Sequence, residues 1–134
     1  MSFINSKSWG NMTNVNFIRK KSGSVRVGVD VVIYKEDDQY IAYAPALDIS
    51  GYGDTTDDAK KAFTEELEIF LDYTTKKHTL EQELKRLGWK KRPHKNADFE
   101  SPNIEDIKKK SLRLLNIDQA NLVETFKEDT AIAV

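Results

Sequence analysis

Val25, Val27, Val29, Val31 and Ile33 occupy every second position of one short stretch, and this alternation constrains the fold more than any other feature of the chain. A period of two sends successive side chains to opposite faces of an extended strand, so these five residues line one face that must be buried. The strand is expected from Val25 to Lys35, with Val32 and Tyr34 making its far end apolar on both faces. Glu36, Asp37 and Asp38 form a polar turn, and Gln39 to Ala44, carrying Tyr40, Ile41 and Tyr43, returns as a second strand of a hairpin. Pro45 lacks an amide donor and ends the pairing, after which Leu47 to Tyr52 can form a third strand. Val15 to Ile18 is a further short stretch able to pair with a sheet edge.

The run Gly51-Tyr52-Gly53-Asp54-Thr55 then changes the period. Asp54 or Thr55 can cap a helix, and Asp57 and Asp58 suit the positive end of its dipole. Ala59, Ala62, Phe63, Leu67, Phe70 and Leu71 recur at helical spacing, predicting a helix to about Tyr73 that lies across the sheet. A second helix is expected from a Thr79 cap through Leu80, Leu84 and Leu87, stopped by Gly88, with Trp89 folding back on the core. Lys90 to Ser101 is a basic, proline-containing connection. Ser101 followed by Pro102 signals a third helix, with Ile104, Ile107, Ser111, Leu114 and Leu115 on one stripe. Thr130 to Val134 is the candidate terminal strand.

These elements make an α+β domain: an antiparallel sheet of three or more strands with a helix packed on one face, followed by C-terminal helices. The expected organisation is a flexible leader over 1–20, a core over 21–89, and an extension over 90–134 packed on the same domain. The chain has 134 residues, which suits a single domain.

The order strand, strand, strand, helix comes with a specific junction. Val31-Val32-Ile33-Tyr34 leads into Tyr40-Ile41-Ala42-Tyr43-Ala44-Pro45-Ala46-Leu47, then Gly51-Tyr52-Gly53-Asp54-Thr55 and Asp58-Ala59. This pattern resembles the core of the HicB family, over roughly a third of the chain. The resemblance implies a partial ribonuclease-H-like sheet with a helix on it. It also implies an antitoxin that neutralises a small RNA-cleaving HicA-type toxin by protein–protein contact. Two departures bear on what can be carried over. The cysteine that usually precedes Gly-Asp-Thr is absent, with Ser50 or Gly51 near its place. The tail also ends on a strand, whereas a ribbon-helix-helix DNA reader would begin with one.

Charge is unevenly spread. Glu36 to Asp72 holds 11 acidic against 2 basic residues, and Lys76 to Arg113 holds 12 basic against 6 acidic. Such asymmetry marks either an acidic docking surface beside a basic one or two ordinary solvated helix faces. On the first reading Tyr40, Tyr43, Tyr52, Asp54, Asp57 and Asp58 are candidate contacts for a basic protein partner, since tyrosines anchor interfaces; they serve equally as half-buried strand residues. On the second, Lys85, Arg86, Lys90, Lys91 and Arg92 could grip a phosphate backbone while Trp89 stacks on a base. The bland alternative is a solvated helix end with Trp89 buried. An open sheet has edges to cover, so homo-oligomerisation is expected.

Several functions lack their residues. With no cysteine there is neither a disulfide framework nor a thiolate nucleophile, in keeping with a reducing cytoplasm. His78 and His94 have no ligand-spaced companion, so no zinc signature exists. Gly51-x-Gly53 lacks the Lys-Ser/Thr of a phosphate loop. Asp30, Asp48, Asp54 and Glu66 are the carboxylates a two-metal nuclease would need to converge, but capping explains Asp54 and an exposed helix face explains Glu66. A non-enzymatic protein without cofactor or metal is expected. No apolar run approaches the roughly 20 residues of a membrane span, and Met1 to Gly10 lacks the pattern of a signal peptide, so the expected location is cytoplasmic.

Overall fold

The structure is a computed structural model that describes residues 16–91, 98–111, 113, 116–117 and 121–134. Among the described residues seven strands form one antiparallel sheet: β1 (Phe17–Lys21), β2 (Ser24–Glu36), β3 (Gln39–Ala44), β4 (Ile49–Gly53), β5 (Lys90–Lys91), β6 (Phe99–Glu100) and β7 (Leu122–Ala133). Among the described residues three helices accompany them, α1 (Thr56–Lys76), α2 (Leu80–Arg86) and α3 (Ile104–Lys110). The expected α+β class, with an antiparallel sheet and a helix packed on it, is what the chain adopts.

The valine alternation becomes β2, the spine of the sheet. β7 runs antiparallel along it from Ser24 to Tyr34. On the opposite edge two strands sit end to end, β1 against Ser24–Gly28 and β3 against Val32–Glu36. Between them the Asp30 amide would have no ladder partner, and a buried orphan donor is costly. The Asn16 side chain fills that gap, its Oδ1 accepting from Asp30 N. Asn16 is itself buried. The expected leader over 1–20 therefore ends earlier than its composition suggests: Ile18 is fully buried and β1 is a sheet member, while residues 1–15 lie outside the described residues.

Val25, Val27, Val29, Val31 and Ile33 are all buried. The buried stripe of α1 is Ala59, Phe63, Leu67, Leu71 and Thr74. Its backbone passes so close to β4 that a Cβ on Gly51 would lie 2.2 Å from the Phe63 amide nitrogen, so only glycine fits there. Thr55, not Asp54, caps the helix, its Oγ1 accepting from Asp58 N at 3.0 Å. The helix runs three residues past Tyr73. It stops in a pair of back-bonds, His78 N to Thr75 O and Thr79 N to Thr74 O, with His78 in the left-handed region at φ 58°. The same motif ends α2, this time on Gly88 at φ 95°, with Trp89 N donating to Leu84 O.

The hairpin turn over Asp37 and Asp38 and the stop at Gly88 lie where the sequence put them. Trp89 is 3% exposed and its indole N–H donates to Ala46 O at 2.8 Å. Other boundaries moved. Thr79 stands at the α2 cap position but makes no side-chain cap bond. α3 is capped by Asn103, whose Oδ1 accepts from Asp106 N at 2.9 Å, two residues after the expected Ser101–Pro102 start. It ends at Lys110, so Ser111 leaves the expected stripe, and Leu114 and Leu115 lie outside the described residues. The terminal strand begins at Leu122, eight residues before Thr130, because β2 offers a full-length edge for it to follow.

Candidate functional site

The register of the hairpins decides which side chains meet. Ile33 opposes Ala42, which opposes Gly51, and all three face α1. One residue on, Tyr34 opposes Ile41, which opposes Tyr52, on the far face of the sheet. Tyr43, opposite Val32, joins that face. Tyr40 opposes Gly53 and lies on the helix face, partly buried, with Lys35 Nζ 5.5 Å from its ring centroid. The three tyrosines proposed as one contact set are thus divided by the sheet. Tyr34, not Tyr40, completes the far-face trio.

That trio is organised by Arg113. Its Nη1 donates to Tyr34 Oη at 3.3 Å and to Tyr52 Oη at 3.2 Å, and its guanidinium lies 5.2 Å from the Tyr43 ring centroid. Tyr43 is 1% exposed, which removes it from any direct partner contact. Its hydroxyl donates to Asp48 Oδ1 at 2.8 Å and lies 3.0 Å from Ser111 Oγ. Burial pushes the Tyr43 phenol up to about 12, against the lowering effect of Ser111. Burial likewise raises Tyr34. Tyr52 moves the other way, because the Arg113 guanidinium hydrogen-bonds its oxygen and stabilises the phenolate. Two hollows flank Arg113. One of about 250 Å³ is lined by Tyr34, Glu36, Tyr52, Arg113, Asn116 and Ile117. The other, of about 500 Å³, takes in Tyr43, Asp48, Ile107 and Ser111.

The acidic stretch forms a second surface. Asp54, Asp57 and Asp58 are all exposed, as are Glu36, Asp37, Asp38, Glu65, Glu66 and Glu68. On α1, Ile69 and Tyr73 are each 60% exposed. At 3.6 residues per turn, Asp58, Glu65, Glu66 and Asp72 share the outward face of Ile69 and Tyr73, while Asp57 lies off it. Lys76 pairs with Asp72 at 3.0 Å at the C-terminal end of this ridge.

The basic candidates are compensated locally. Lys85 and Lys91 both reach Glu81, at 3.0 and 3.1 Å, and Arg86 pairs with Glu83 at 3.0 Å. Lys90 is exposed, and Arg92 lies outside the described residues. Buried Trp89 offers no ring for a base. Of the carboxylates weighed for metal binding, Asp30 is buried beside Lys127, its Oδ1 3.5 Å from Nζ. Asp48, Asp54 and Glu66 are dispersed, and among the described residues no group of His, Cys, Asp or Glu converges as a metal site. His78 sits in the turn after α1, and His94 lies outside the described residues. Among the described residues no helix is long and apolar enough to cross a membrane.

Sequence reasoning missed Tyr34, Ser111 and Arg113 as site residues, and weighed Asp48 only as a metal-binding carboxylate. The signal for Tyr34 was present: with a two-residue turn at 37–38, Tyr34 must oppose Ile41. Comparison with known proteins finds no matching family model, no matching curated protein and no matching solved structure.

Proposed function

We propose that the chain is a non-enzymatic protein-binding module of the HicB type, acting as an antitoxin that occludes a small, basic, RNA-cleaving toxin. The outer ridge of α1 carries this reading. Two large apolar side chains, Ile69 and Tyr73, stand in solvent with Glu65, Glu66 and Asp58 around them. Apolar anchors within a charged rim are the usual anatomy of an interface hot spot. Acidic rim charges steer a basic partner and speed its encounter. The strand–strand–strand–helix junction resembling the HicB core supports the same reading.

The test is co-purification with any small basic protein found to be encoded beside this one, followed by a binding titration. Tyr73→Ala is expected to weaken the complex by about 2 kcal/mol, the scale of an aromatic hot spot. Glu65→Lys with Glu66→Lys should slow association and flatten its salt dependence. A purified neighbour that leaves the wild-type chain unbound at low salt defeats the antitoxin reading and leaves an adaptor without a toxin.

A further inference from the structure

The hollow beside Arg113, on the sheet face opposite the α1 ridge, is lined by Tyr34, Tyr52 and Arg113, all of which carry hydrogen-bond donors. Tyr34 and Tyr52 each accept a hydrogen bond from the same guanidinium nitrogen. A phenol that accepts keeps its own O–H proton to give. Arg113 is in none of the ion pairs among the described residues, and the two phenols it hydrogen-bonds are neutral partners. Guanidinium and hydroxyl donors converging in one hollow match a carboxylate, and charge-assisted bonds of this kind are about twice as strong as neutral ones. Glu36 lines the same hollow and acts electrostatically on both phenols. It opposes a dianion such as phosphate and complements an ammonium. A space of about 250 Å³ accommodates a small molecule.

We propose that this hollow binds a small zwitterion of the α-amino-acid class. Its carboxylate is held by Arg113 and the Tyr34 and Tyr52 hydroxyls, and its ammonium faces Glu36. Asn116 also lines the hollow, with an amide able to donate or accept. Binding polarises Tyr52 and Tyr34.

Titration of the full chain with glycine, acetate and inorganic phosphate, followed by amide NMR shifts and tyrosine absorbance, tests this. Glycine is expected to give saturable shifts at millimolar concentration, and acetate and phosphate weaker ones. Arg113→Gln should weaken glycine binding at least about tenfold, the value of one charged hydrogen bond. Tyr52→Phe, which removes a single surface hydroxyl, should weaken it several-fold with the fold intact by circular dichroism. Glu36→Gln should bring glycine down to the level of acetate. The proposal fails if glycine gives no saturable shift at 50-fold the millimolar range, if phosphate binds more tightly than glycine, or if Tyr52→Phe binds glycine as the wild type does.

Discussion

At the scale of single residues, backbone conformation and hydrogen-bond valence explain positions that composition alone leaves neutral. His78 is the clearest case. It closes α1 in the left-handed region, which costs an L-residue roughly 1–2 kcal/mol, whereas the equivalent position after α2 is Gly88. His78→Gly removes that strain but adds freedom to the unfolded chain. A net gain of about 0.5–1 kcal/mol in stability is expected, read as a higher urea midpoint with unchanged slope. Asn16 shows the reverse situation, a polar residue buried because one backbone amide needs it. No periodicity marks Asn16, since the vacancy it fills exists only after β1 and β3 have docked end to end on β2.

At the scale of elements, the edges of β7 make a sharp distinction. Asp30 N points away from β7 to Asn16, so Asp30 and its partner Lys127 form a pair without mutual backbone bonds. By alternation Thr130 directs its N–H at β2 and Ala131 directs its N–H outward. Val134 N bonding Gly23 O confirms the parity. Thr130→Pro should therefore cost about 1–3 kcal/mol, the value of leaving a ladder acceptor unpaired, and Ala131→Pro should stay within about 1 kcal/mol of wild type. Chemical denaturation of the two neighbours compares them directly. The tyrosines show how far element-level reasoning reaches. Counting back from the turn at Asp37 and Asp38 pairs Tyr34 with Ile41, so the far-face row was readable. Its closure by Arg113 was not, since that contact joins residues 61 and 79 apart in sequence.

At the scale of the whole molecule, Tyr43 ties the sheet to Asp48 and to Ser111 of the C-terminal segment. Its folded pKa of about 12 exceeds the ordinary tyrosine value of 10. The folded state thus holds a proton that the unfolded chain releases near pH 10. Stability from this group is intact below pH 10 and is lost as pH rises toward 12. Alkaline denaturation midpoints should fall across that window, and Tyr43→Phe should fall less steeply. The charge asymmetry also resolves at this scale. The acidic excess stays in solvent around the α1 ridge, whereas Lys85, Arg86 and Lys91 are spent on Glu81 and Glu83 of their own neighbourhood.

By itself, the sequence determined the elements whose causes are local: the valine strand, the two-residue turn, the capped helix after Gly53, and the Gly88 stop. Each follows from a period, a cap or a backbone angle set within a few residues. Tertiary structure alone decided that β2 is shared by three partners and that Asn16 belongs to the core. It alone brought Arg113 to the phenols. These depend on which edges and faces meet, and such long-range pairing is fixed by burial over the whole domain, which no short window of sequence contains.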